Sequence, residues 1–154
     1  MTADLPENML KYENYKEQNT RLKKAMENKF YLEAVFIEYA IMEDRTESIL
    51  RYENNTINSK NKGFVSIDAK ITKIEKIVEN KKGLPRKYFT VEFMEQIREW
   101  KNRRNALIHA LIKKNTTTQE LIDLAEEGRQ ITKDLCRLST NYKRAVQRQE
   151  EKKN

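Results

Sequence analysis

The 154-residue chain has one cysteine (Cys136), one histidine (His109), two prolines and three glycines. A lone cysteine excludes an intramolecular disulfide and any zinc site built from several thiolates. Cys136 falls on an apolar helical stripe, which predicts a buried, inert thiol. So little glycine and proline favours long uninterrupted helices over sheets with many tight turns, and the expected class is all-α. With one histidine, imidazole chemistry has a single place to occur. No apolar run approaches membrane-spanning length, and the residues from Met1 to Pro6 lack the basic and then apolar pattern of a secretory signal. A cytoplasmic protein with no membrane partner is expected.

What is present is charge. Lys and Arg number 31 against 24 Asp and Glu, a formal net charge of +7 at pH 7. That excess suits a polyanionic partner such as nucleic acid or an acidic protein, and says nothing about fold. The length fits one domain, 1–154, with one core.

Periodicity predicts about five helices in an antiparallel bundle. The first, to about Glu27, is polar, with Met9, Leu10 and Leu22 among its few apolar positions. The second carries a wide apolar face of Phe30, Ala34, Val35, Ile37, Ile41, Met42, Ile49 and Leu50, as a central helix should, and Glu38 and Arg45 fall into that face. A polar stretch at 54–63 reads as a loop. Ser66 then caps a helix with Ile67, Ile71, Ile74, Ile77 and Val78 on its stripe, ending near Glu79. A basic loop follows at 81–87, and Thr90 caps a helix with Val91, Phe93, Met94, Ile97, Trp100, Leu107, Ile108 and Leu111 as its apolar side. Thr117 and Glu120 form a capping box for the last helix, buried along Leu121, Leu124, Ala125, Ile131, Leu135, Leu138, Tyr142 and Ala145. The tail, 146–154, has nothing to bury and is expected to fray.

The segment from Trp100 to Ile112 concentrates the chemistry. Arg104 shares a stripe with Phe93, Ile97, Trp100, Leu107, Ile108 and Leu111, whereas Arg98, Asn102, Asn105 and His109 lie beside it on a polar stripe. At about 100° per residue, His109 stands roughly 140° around the helix from Arg104, so one straight helix does not aim both at one small target. A guanidinium on a buried face requires a carboxylate or several carbonyls. Glu38 is the first candidate, with Glu43 and Asp44 in reserve. Cleavage of RNA without metal needs a base for the 2′-hydroxyl, an acid for the leaving oxygen and a cation for the phosphate. Histidine and arginine supply these roles, and a two-fold dimer would bring two copies of each to one cleft.

The run Arg104-Asn105-Ala106-Leu107-Ile108-His109 resembles the signature of the HEPN superfamily, an arginine, a polar residue and then a histidine, with arginine and histidine separated by four to six residues. The resemblance implies a bundle of four to five helices that dimerises, with a composite, cofactor-free and metal-independent ribonuclease site. It implies Arg104, Asn105 and His109 as catalytic residues and products ending in 2′,3′-cyclic phosphate. It also implies a toxin or phage-defence role under the control of an antitoxin or inhibitor protein. Some relatives carry a tyrosine two residues after the histidine; here that position is Leu111.

Simpler roles stand beside these. His109 can be a satisfied groove histidine, Arg104 a structural ion pair, and Asn105 a hydrogen-bond partner that sets the imidazole tautomer. Arg98, Lys101 and Arg103 are the nearest candidates for an RNA backbone, with Lys82 and Arg86 of the basic loop behind them. Tyr12, Tyr15, Phe30, Tyr31 and Tyr39 suit base stacking or core packing equally. The polar first helix suits an antitoxin contact. The alternative function is a non-catalytic helical module binding a partner protein or RNA.

Overall fold

Helix formers without interruption give α1 (Glu7–Glu27), which ends in a tight turn rather than a loop. Phe30 N–H donates to the Ala25 carbonyl at 2.8 Å across Lys29, which takes the left-handed conformation at φ 62°. The chain reverses there into α2 (Tyr31–Tyr52). α3 (Ile67–Glu79) starts where Ser66 Oγ accepts from Ala69 N–H, and α4 (Val91–Ala110) where Thr90 Oγ1 accepts from Phe93 N–H. A short 3₁₀ turn, Pro85–Lys87, precedes α4, and α5 (Thr118–Glu151) closes the chain. The computed structural model describes residues 7–53, 65–80, 83–113 and 118–154. The expected loop at 54–63, the Thr117 cap and Lys82 lie outside them.

Among the described residues there are five α-helices and no strand, as periodicity predicts. None of these helices is long and apolar enough to cross a membrane. α2 is the hub, packed on all four other α-helices, and its largest interface is with α5. Consecutive helices α1 and α2 are antiparallel, with Tyr15 and Lys11 meeting Asp44, as are α3 and α4, with Asp68 meeting Lys101 and Glu75 meeting Arg98. α2 and α5, distant in sequence, run parallel: Glu38 meets Gly128, Arg45 meets Cys136 and Glu53 meets Tyr142. α5 remains helical to Glu151, although residues 147 to 150 are exposed.

The core is continuous. Trp100 is fully buried and donates its indole N–H to the Leu124 carbonyl at 2.8 Å. Gly128, one turn further along α5, leaves room for it. A Cβ on Gly128 would stand 2.7 Å from Trp100 Cζ2 and closer still to Glu38 Oε2. Toward the C-terminal part of α5, Tyr142 is fully buried, edge-on to Phe89 and Tyr52 and tilted against Tyr88, and its hydroxyl donates to Glu53.

Phe30 and Leu111, expected inside, are exposed, because Phe30 sits at the reversal and Leu111 follows the last helical turn of α4. Cys136 is only partly buried, on a groove wall, where burial pushes its thiol pKa up.

Glu38 is fully buried with both carboxyl oxygens unpaired, and burial pushes its pKa up to about 9 against the pull of Arg129. The side chain is thus a neutral acid at pH 7. Because the folded value lies above the ordinary 4.5, its stabilising contribution is fully present below that pH and is lost as pH rises toward 9. Chemical denaturation of wild type should show stability falling by roughly 2–5 kcal/mol between pH 5 and 9 relative to Glu38→Gln, which removes the titration. Parallel curves for the two proteins would refute this. Gly128→Ala should lower stability by about 1–3 kcal/mol, overpacking outweighing the helix propensity gained. Thermal and urea melts measure it.

Candidate functional site

Arg104 lies one turn beyond Trp100 on α4, so the seating of the indole against Gly128 aims the guanidinium at α2. There it rests 4.1 Å from the ring centroid of Tyr39 and 5.1 Å from that of Phe36. Nη1 donates to Asn105 Oδ1 at 2.9 Å, and Nε is buried with no hydrogen bond. Among the described residues no carboxylate pairs with it at contact distance. Burial lowers the guanidinium pKa, with Tyr39 and Glu43 pulling the other way, and arginine remains charged at neutral pH regardless. The Tyr39 hydroxyl is pushed up, chiefly by burial.

The expected pairing of Arg104 with Glu38 does not form. Both sit on apolar stripes, but Glu38 faces Gly128 and Trp100, while the next residue, Tyr39, turns toward Arg104. Neighbouring positions on a helix point about 100° apart, so a one-residue difference sends the carboxyl to another interface. Asp44 faces α1, accepting from the Tyr15 hydroxyl and pairing with Lys11 at 3.1 Å. Burial alone would raise its pKa, yet these two hydrogen bonds hold it below the usual value. Glu43 pairs with the buried Lys70 of α3 at 3.8 Å.

His109 is exposed on the last turn of α4, two residues before Leu111, which the fully exposed Ile112 follows. Asn105 Oδ1 is taken by Arg104, so this oxygen orients the guanidinium and not the imidazole. The three catalytic candidates therefore divide into a half-buried Arg104–Asn105 pair on an aromatic platform and a solvent-facing imidazole. Among the described residues no three His, Cys, Asp or Glu side chains gather into a metal-binding group.

The cations expected to meet RNA are largely engaged within the chain. Arg98 forms a bidentate pair with Glu75 at 2.8 and 2.9 Å, bonds Glu95 and Thr72, and lies 3.7 Å from Asp68; the Glu75 pair, with Glu95, raises its pKa. Lys101 is buried against Asp68. These two cations hold α3 to α4. Arg103 is half-exposed and pairs with Glu127 at 2.6 Å. Arg86 is exposed on the 3₁₀ turn.

The platform under Arg104 is what periodicity missed. Its signal was present: Phe36 and Tyr39 stand three apart on one face of α2, a spacing that places two rings side by side.

Arg98→Ala should cost about 1–3 kcal/mol of stability, because it leaves Glu75 partly buried without its partner. A denaturation midpoint unchanged within error would return Arg98 to the list of free cations. No protein-family model, curated protein or solved structure matches the chain.

Proposed function

We propose that the protein is a metal-independent ribonuclease of the HEPN type, working as a homodimer in a toxin or phage-defence role and held in check by a partner protein. The observation that carries this reading is Arg104, whose guanidinium is partly buried, oriented by Asn105 and carried on Tyr39 and Phe36 without a neutralising carboxylate. A cation so placed is preorganised for an oxyanion. Five residues on, an exposed imidazole is followed by exposed apolar residues, Leu111 and Ile112, where a second copy can cover the surface and share the substrate.

In such a dimer one His109 takes the proton of the ribose 2′-hydroxyl, and the oxygen attacks the adjacent phosphorus. The P–O5′ bond breaks as the partner's His109 protonates the leaving oxygen. Arg104 stabilises the charge that builds on the non-bridging oxygens. The products are a 2′,3′-cyclic phosphate and a 5′-hydroxyl.

A second reading, a non-catalytic interaction module, is favoured by the internal neutralisation of Arg98 and Lys101, which leaves α4 with few free cations for RNA. It uses the same exposed apolar residues for a partner protein.

Purified protein incubated with RNA in excess chelator separates the two. Cleavage to 2′,3′-cyclic phosphate ends is expected, with Arg104→Ala and His109→Ala each lowering the rate by about 10²–10⁴ while helicity and melting stay near wild type. A monomer at micromolar concentration, or cleavage untouched by His109→Ala, overturns the composite site; inactive wild type, freed of any copurifying protein, favours the interaction module.

A further inference from the structure

On the other side of α2 an open groove of about 1390 Å³ runs between α1 and α5, with α2 as its floor. Its walls are one-sided in charge. Six cations line it, Lys11, Lys16, Lys23, Arg45, Arg51 and Lys143, against a single carboxylate, Glu7. Three of the six have partners outside the lining: Lys11 with Asp44, Lys23 with Glu27 and Arg51 with Glu47. Among the described residues, Lys16, Arg45 and Lys143 make no ion pair.

Arg45 is the telling one. It stands on the apolar face of the hub helix, partly buried, with its guanidinium 4.1 Å from the ring centroid of Tyr15 and Cys136 as a side-chain hydrogen-bond partner. Its Nε is buried and bonded to nothing. Asp44, the residue before it, is drawn off by the Tyr15 hydroxyl and Lys11 and acts on the guanidinium without pairing with it, so this partly buried cation lacks the ion-pair partner that such a group ordinarily requires. An anion entering the groove supplies it.

Two further features identify the anion. Lining residues on α1 extend from Glu7 to Lys23, which is about 24 Å of helix, so the groove suits a chain and not a compact ligand. Rings stand among the cations along it: Tyr12 is two-thirds exposed, while Tyr15 and Tyr52 already carry Arg45 and Lys143 over their faces. Cations that track a backbone, interleaved with rings on which bases stack, are the pattern for single strands. An acidic peptide would use the charges and leave the rings idle.

We infer that the groove between α1 and α5 binds single-stranded nucleic acid, its phosphates on Lys16, Arg45 and Lys143 and its bases against Tyr12. This site is separate from Arg104 and His109 and does not depend on cleavage.

The test uses the full chain and a fluorescently labelled single-stranded DNA 12-mer, which has no 2′-hydroxyl to be cut, so binding is read alone by anisotropy. Binding should weaken with salt at a log–log slope of roughly −2 to −4, as expected for three to six phosphates. Lys16→Glu with Lys143→Glu should weaken it at least tenfold, and Tyr12→Ala by about 5- to 100-fold through lost stacking. The control Lys24→Glu with Lys133→Glu changes net charge equally outside the groove and should leave most of the affinity. All four charged positions are exposed, so folding is not at risk. Equal losses in the two double variants would reduce the groove to bulk charge and overturn the inference. So would absence of binding by wild type, or a poly-glutamate peptide that binds more tightly than the oligonucleotide. His109→Ala should bind like wild type, so a failure of the cleavage reading leaves this result distinct.

Discussion

At Gly128 of α5 the space a side chain would need is occupied by Trp100 from α4 and Glu38 from α2. Three helices are registered by one missing Cβ. The indole N–H donates to the Leu124 carbonyl while its ring edge takes the space beside Gly128, and with Trp100 seated, the residue one turn later comes to rest over α2. The parallel pairing of α2 with α5 holds the same offset along their length, from Glu38 and Gly128 through Arg45 and Cys136 to Glu53 and Tyr142. Both the Arg104 platform and the floor of the basic groove are built on this seam.

Glu38 is the cost of that arrangement. Its carboxyl fills the notch without any hydrogen bond, and a group in such a place is held neutral. Shape is satisfied and polarity is not. Elsewhere the chain treats its charges differently: the cations of α4 that face α3 are absorbed by Asp68, Glu75 and Glu95. Among the described residues, two partly buried guanidiniums rest on tyrosine rings and make no ion pair, Arg104 and Arg45. Each lies 4.1 Å from the ring centroid of a tyrosine, Tyr39 and Tyr15 respectively. An aromatic face attracts a cation without cancelling its charge, so both remain available to an anion. Arg104 reaches α2 from α4, whereas Arg45 stands on α2 itself and lines the groove.

Helix positions and their caps were legible in the residue order because they are local. Ser66 and Thr90 bond backbone N–H groups three residues away, and the apolar period of α3 or α5 follows from helical geometry whatever lies across from it. The candidate site was legible only in its members. Arg104 and Asn105 are joined on α4 and His109 lies in its last turn, but Arg104 meets a pair of rings instead of the expected carboxylate. A stripe says that a residue faces inward. It does not say which of two neighbouring helices it meets, and one step along α2 separates Glu38 from Tyr39.

By itself, then, the order of residues determined an all-helical chain, the helix ends that are set by capping side chains, and the confinement of imidazole chemistry to the end of α4. Tertiary structure decided the rest: that Arg98 and Lys101 tie α3 to α4 rather than face solvent, that Glu38 is a buried neutral acid, and that Arg45 looks into a cationic groove. The reason is physical. Propensity and periodicity act over one or two turns, whereas the fate of a charge depends on what another helix, dozens of residues away, places within a few ångströms of it.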